Sequence, residues 1–202
     1  MRHKVYKAAG VGVLICLLTI ILGVGIGLII GSPTYYPNKW LKAEEEITQF
    51  FNRITLPIKV ARISWLPAEE EILMPVYGVR LREIVDSWGD ARPDDRTHEG
   101  QDIFASRGTP VFSVTNGYVT RVGVGDLGGN VVYVAGAGGR RYYYAHLDRV
   151  ADGLYRGQKV TTDTVLGFVG NTGNAETTPT HLHFGVYFLR KAINPLPLLV
   201  NR

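Results

Sequence analysis

Residues 179–187 read PTHLHFGVY, and two of the chain's five histidines, His181 and His183, fall inside that stretch. The neighbours Leu182, Phe184, Val186 and Tyr187 are apolar, partly β-branched or aromatic, which is the composition of a strand. Side chains two apart on a strand share one face. His181 and His183 therefore project together, roughly 6–7 Å apart at Cβ given a rise of about 3.3 Å per residue. The plain alternative is one core histidine beside a solvent-facing neighbour. What else in the chain faces the pair decides between them.

Outward from that stretch, the chain after Pro75 keeps one texture. Short runs of Val, Ile, Phe, Tyr and Thr alternate with glycine turns, as in GTPVFSVTNGYVTRVGVG (108–125), GGNVVYVAGAGGRRYYYAHL (128–147) and GQKVTTDTVLGFVGNTGN (157–174). Asn116-Gly117 and the Gly-Gly pairs at 128–129 and 138–139 are hairpin signals. The pattern predicts an all-β domain of small antiparallel strands over residues 75–202. No repeat of solenoid or propeller period is present.

The N-terminal part differs. Residues 8–31 carry no charge, a length that suits a membrane-spanning helix. Arg2, Lys4 and Lys7 in the basic tail 1–7 put the N-terminus in the cytoplasm and everything after Gly31 outside. The run is longer than the apolar region of a signal peptide, and the IIGSPTYYP at its end offers no good Ala-x-Ala match, so an uncleaved anchor is expected. VLIC before Cys16 is a poor lipid-attachment signal. Gly23, Gly27 and Gly31 recur at spacing four, a pattern that lets helices approach closely and points to a homodimer through this segment. Three of the 22 Lys/Arg lie in the tail, and the rest nearly cancel the 18 Asp/Glu. The exported part is thus near neutral, which argues against a nucleic-acid partner. The single cysteine lies in the anchor, so the exported domain rests on its core and not on disulfides.

Residues 32–74 read as a juxtamembrane segment. A turn-rich exit leads into a helix over 39–54, with Trp40, Ile47, Phe50, Phe51 and Ile54 on one face. Pro57 is expected to end it. Residues 58–74 carry short strand-like pieces, and Glu69–Glu71 reads as a solvated acidic face.

The other histidines sharpen the question. His3 belongs to the tail, whereas His98 sits in THEGQDIFA and His146 in YYYAHLD. Gly100 makes 98–102 non-helical and DIFA looks like the start of a strand, so the segment turns and lets His98 and Asp102 converge. One His, one Asp and one of the paired histidines would form a three-ligand N/O set with an open position, the pattern of a catalytic zinc. Two histidines are left over to hydrogen-bond a water or an oxyanion. Tyr142 and Tyr144 are expected to pack in their strand. Glu99 is expected to be solvated, and Asn171 and Asn174 to serve a turn.

HEGQDIFASRGTPV, NGYV, YYYAHL, GQKV, GNTGN and HLHFGV, in that order and spacing, resemble the lysostaphin-type (LytM-like) zinc peptidoglycan endopeptidases. The resemblance runs from about Trp88 to Pro195. It implies a β-roll sandwich of the duplicated hybrid motif kind and one Zn2+ per domain, held by His98, Asp102 and His183. It makes His146 and His181 the catalytic pair that orients the water and stabilises the oxyanion. It implies peptidoglycan stem peptides as substrate; joined to the anchor read at residues 8–31, that makes a single-pass bacterial inner-membrane protein with its catalytic domain on the periplasmic side. Two other readings compete. One is a non-catalytic or latent relative that regulates another wall hydrolase, with residues 39–74 as an inhibitory arm. The other is a lipoyl or phosphocarrier domain, which would need a lysine hairpin tip or a cytoplasmic location.

Overall fold

The computed structural model describes residues 37–92 and 95–202. The basic tail, the apolar run 8–31 and its glycine spacing lie outside the described residues. Among those described, no helix is long and apolar enough to cross a membrane. Residues 48–202 form one compact unit.

Helix α1 runs Pro37–Ser64 and carries Pro57 in its interior. Pro57 was expected to end the helix, and it does not. An interior proline costs ~3 kcal/mol through its missing N–H and its clash with the preceding turn. Tertiary contacts of the flanking residues offset that. Leu56 is buried, which contributes roughly 1.5–3 kcal/mol. Asn52 Nδ2 donates to the Tyr155 hydroxyl at 2.8 Å, and within the helix Lys59 Nζ spans Pro57 to donate to Asn52 Oδ1 at 2.7 Å. The predicted apolar stripe is not the packed one: Ile47, Phe50, Phe51 and Ile54 are exposed.

The acidic run also departs in part from expectation. Glu70 and Glu71 are exposed, but the Glu69 carboxylate accepts from Thr115 and from the Tyr142 hydroxyl. Its position over the domain gives it partners that a solvated run would lack.

The remainder is β structure. The strands are β1 (Ile72–Leu73), β2 (Ala91–Arg92), β3 (Arg96–Thr97), β4 (Gln101–Phe104), β5 (Pro110–Phe112), β6 (Gly117–Gly125) and β7 (Gly129–Ala135). After these come β8 (Arg140–Val150), β9 (Lys159–Val160), β10 (Val165–Val169), β11 (His181–Phe188), β12 (Lys191–Ile193) and β13 (Leu199–Val200). The main sheet is antiparallel with order β12-β11-β8-β7-β6-β9; β4 adds to β11, β10 to β8 and β5 to β10. Strand β1 pairs with β13, and β2 with β3 forms a small hairpin. The all-β expectation holds for this domain.

Two of the three hairpin signals are correct, since Gly128–Gly129 joins β6 to β7 and Gly138–Gly139 joins β7 to β8. Asn116-Gly117 is not a hairpin. Gly117 starts β6, where a Cβ would stand 2.1 Å from the Ala135 carbonyl oxygen. Close backbone approach, not turn geometry, explains that glycine.

The core lies on one face of β8 and β11. Tyr142, Tyr144, Leu182, Phe184 and Val186 are all fully buried. Phe184 pairs across the strands with Tyr144, and Val186 with Tyr142. Cross-strand partners share a face, so the opposite face of the same two strands is left for His181, His183, Tyr143 and Ala145.

Candidate metal centre

Strand β11 lies between β4 and β8, with His183 opposite Asp102 on one side and Ala145 on the other. Alternation alone sends His181 and His183 to the groove, while Leu182 and Phe184 go to the core. Strand β4 brings Asp102 alongside, and the turn at Glu99–Gly100 carries His98 to the same point. No larger residue fits at Gly100: a Cβ there would lie 2.5 Å from His183 Cε1 and 2.9 Å from the Phe184 carbonyl oxygen.

His146 arrives by a different route. It has the parity of Tyr142 and Tyr144, so unbroken alternation would bury it in the core. Instead Tyr144 pairs with Val132 and Leu147 with Asn130, which leaves an extra residue in β8. His146 takes a φ of +60° at that bulge and swings to the groove face. A non-glycine residue in this region costs on the order of 1–3 kcal/mol, and such strain concentrates at functional sites.

The five predicted residues come together. Asp102 Oδ1 is 3.1 Å from both His98 Nε2 and His183 Nδ1, and 3.8 Å from His181 Nε2. His98 Nε2 and His183 Nδ1 are 2.8 Å apart. The His146 ring lies 5.0 Å from that of His181 and 5.8 Å from that of His183. His98, Asp102 and His183 are a group that could hold a metal ion.

Carbonyl oxygens set the tautomers. His98 Nδ1–H donates to the Ser87 carbonyl at 2.5 Å, His146 Nδ1–H to that of Thr172 at 2.8 Å and His181 Nδ1–H to that of Pro179 at 2.8 Å. Each of these imidazoles, when neutral, therefore offers its Nε2 lone pair to the groove. His98 Nε2 and Asp102 Oδ1 are thus two acceptors facing each other, and a cation held between them and His183 Nδ1 would satisfy all three. The edge of a tetrahedron with bonds of about 2.0–2.1 Å is roughly 3.3 Å, close to the observed spacings. The residues fit zinc.

Electrostatics point the same way. Burial raises the Asp102 carboxyl, but the His183 and His98 imidazoles beside it, wherever one of them carries a proton toward Oδ1, outweigh that and hold the group far below the usual carboxylate range. Burial lowers the His183 imidazole, against the pull of Asp102. Burial also lowers His146 to about 4, only partly offset by the Thr172 carbonyl. His146 is thus neutral, with a free lone pair, at physiological pH.

The groove around the cluster has a volume of about 900 Å³ and is walled by Arg92, Glu99, Phe104, Tyr143, Asn174 and Tyr187, among others. None of residues 48–74 lines it. Tyr142 and Tyr144 pack in the core as expected. Tyr143 and Tyr187, which the sequence reading passed over, line the groove. The signal was available: Tyr187 shares parity with His183, and Tyr143 shares it with Ala145 opposite. Burial raises Tyr143, and raises Tyr187 to about 12, so both present neutral hydroxyls. Glu99 is exposed as expected. Asn171 serves its turn, its amide donating to the Glu176 carbonyl at 3.0 Å, whereas exposed Asn174 faces the groove.

A small β domain with an open His₂Asp cluster and two further imidazoles over a long groove defines a metallopeptidase-like protein. Residues 96–195 match peptidase family M23. The chain is 40% identical over 108 residues to the L-Ala–D-Glu endopeptidase of Bacillus subtilis, covering 50% of this chain and 33% of that protein. Among solved structures, a putative glycyl-glycine endopeptidase LytM of Ruminococcus gnavus is 30% identical with a TM-score of 0.52, covering 72% of this chain and 67% of that one. The catalytic domain of Staphylococcus simulans lysostaphin is 28% identical with a TM-score of 0.51, covering 58% and 92% respectively. The chain belongs to peptidase family M23 and to its lysostaphin/LytM-like members, as the motifs had implied. It spans a third or less of the length of the curated relatives it matches.

Proposed function

We propose that the chain is a membrane-anchored zinc endopeptidase that hydrolyses peptide cross-links of bacterial peptidoglycan. The observation that carries this reading is the convergence of His98 Nε2, Asp102 Oδ1 and His183 Nδ1 within 3.1 Å, beside two more imidazoles. These three residues would hold the ion. A zinc ion so held supplies Lewis acidity toward a water and toward the scissile carbonyl.

The chain's own groups do the rest. His146, neutral and pinned through Nδ1 to the Thr172 carbonyl, accepts a proton at Nε2 and passes it to the departing amine. His181, pinned through Nδ1 to the Pro179 carbonyl, turns Nε2 to the groove; carrying a proton there as well, as imidazolium, it donates to the carbonyl oxygen as charge develops. Tyr143 and Tyr187 give the groove hydroxyls and aromatic surface for an extended peptide.

The relatives' names span an L-Ala–D-Glu bond, a DD-carboxypeptidase/endopeptidase and a glycyl-glycine bond. The shared class is a peptidoglycan peptide. The uncharged run 8–31, with three basic residues before it, supports a single-pass inner-membrane anchor with the domain in the periplasm.

The test is to incubate the detergent-solubilised chain with purified cross-linked peptidoglycan, with and without a zinc chelator, and to identify the products by mass spectrometry. Chelator-sensitive loss of cross-linked dimers is expected, and the product masses name the bond. Zinc binding without cleavage would favour the latent, regulatory reading; neither binding nor cleavage would sink the catalytic one.

A further inference from the structure

Asp102 shows its two carboxylate oxygens to different neighbours. Oδ1 faces the imidazole cluster, 3.1 Å from His98 Nε2 and from His183 Nδ1. Oδ2 faces away and accepts from Arg92 Nη2 at 2.7 Å. Arg92 sits on β2, whose pairing with β3 places it opposite Arg96 at the rim of the groove. The backbone of Asp102 is held separately: its N–H donates to Ser87 Oγ at 3.0 Å, and the Gln101 amide donates to its carbonyl at 3.1 Å. The main chain is thus fixed whether or not Arg92 is present. What Arg92 alone adds, among these contacts, is the orientation of the carboxylate plane.

That orientation matters for the chemistry. A carboxylate can ligate a cation through one oxygen or through both. The guanidinium on Oδ2 keeps that oxygen out of the cluster and offers Oδ1 alone. Resting on the zinc reading above, we infer that Arg92 is a positioning residue: it makes Asp102 a one-oxygen ligand and keeps a coordination position open for water and substrate. Arg92 reaches the ion only through Asp102. An outer partner of a metal ligand typically changes metal affinity by about 10–100-fold when removed.

The test compares the full chain with Arg92→Met and Arg92→Lys variants. Zinc affinity is read by competition with a coloured chelator, and coordination by the visible absorption of the cobalt(II)-loaded forms. Thermal unfolding in excess EDTA checks that the metal-free fold is unchanged. Arg92→Met is expected to bind zinc about 10–100-fold more weakly and to lose cobalt band intensity as the freed oxygen joins the coordination sphere. Arg92→Lys, whose ammonium can still reach Oδ2, should recover part of both. If Arg92→Met lowers metal-free stability, the Lys variant alone decides, by its cobalt band. The inference is overturned if Arg92→Met binds zinc as tightly as wild type with an unaltered cobalt spectrum, or if Arg92→Lys restores nothing. A wild-type chain without zinc affinity would overturn the metallopeptidase reading as well, so the two failures are distinguishable.

Discussion

Strands β8 and β11 run side by side and both deliver histidines to one groove, yet they do it by opposite means. Strand β11 obeys alternation: His181 and His183 face the groove while Leu182, Phe184 and Val186 fill the core. Strand β8 breaks it, with an extra residue between Tyr144 and Leu147 and a φ of +60° at His146. The difference follows from what each strand must bury. Both Tyr144 and Leu147 are needed in the core, three residues apart, and only a bulge lets both point inward. The residue displaced outward is His146, which joins His98, His181 and His183 in the groove.

The contrast can be broken at its most exposed points. The largest effect is expected for Gly100→Ala, whose methyl would collide with His183 and with the Phe184 carbonyl. This variant should lose both zinc and cleavage, which equilibrium dialysis and the peptidoglycan assay would show; a Gly100→Ala chain that keeps its metal would disprove the tight fit. Next comes His146→Asn, since asparagine tolerates the left-handed backbone that the bulge imposes. Activity should fall by about 10²–10⁴-fold while zinc stays bound. Metal loss instead would mean that the bulge serves the ion and not proton transfer.

Acid should act more gently on the zinc-free chain. The His146 imidazole, lowered from an ordinary 6.5 to about 4 by burial, binds fewer protons in the folded state than in the unfolded one between those values. Stability from this group is therefore complete above about pH 6.5 and is lost as pH falls toward 4, by on the order of 3 kcal/mol. His183 shifts in the same direction. Asp102, lowered in the fold, loses its own contribution only below about pH 4. Urea midpoints measured from pH 7 to 4 should fall steadily; a flat profile would show that His146 is not buried as described. The smallest effect belongs to the core face. Tyr144→Phe leaves the buried Val114 N–H without the hydroxyl oxygen it donates to at 3.0 Å, at a cost of about 1–3 kcal/mol. Zinc affinity should be unaffected, which calorimetry and chelator competition can test together.

Much of this was legible beforehand because it depends on local periodicity. The strand character of 181–188, the turn at Gly100 and the convergence of His98 with Asp102 follow from spacing and residue type. The continuation of α1 through Pro57 was not legible, because packing of Leu56 and the Asn52–Tyr155 contact outweighs a local rule. Glu69 could not be separated from its two acidic neighbours until Thr115 and Tyr142 were seen beside it. Tyr143 was hidden between the core residues Tyr142 and Tyr144, although strand parity singles it out.

By itself, the sequence determined the residue types of the cluster, the strand that pairs His181 with His183 and the all-β class, since period-2 alternation and glycine turns are properties of neighbouring residues. Tertiary structure alone decided that Asp102 turns one oxygen inward and the other to Arg92, that carbonyls of Ser87, Thr172 and Pro179 set three imidazole tautomers, and that His146 leaves the core. Each of these depends on groups far apart in the chain, or on competition for core space. Hydrogen-bond direction and packing settle them only once the strands are assembled.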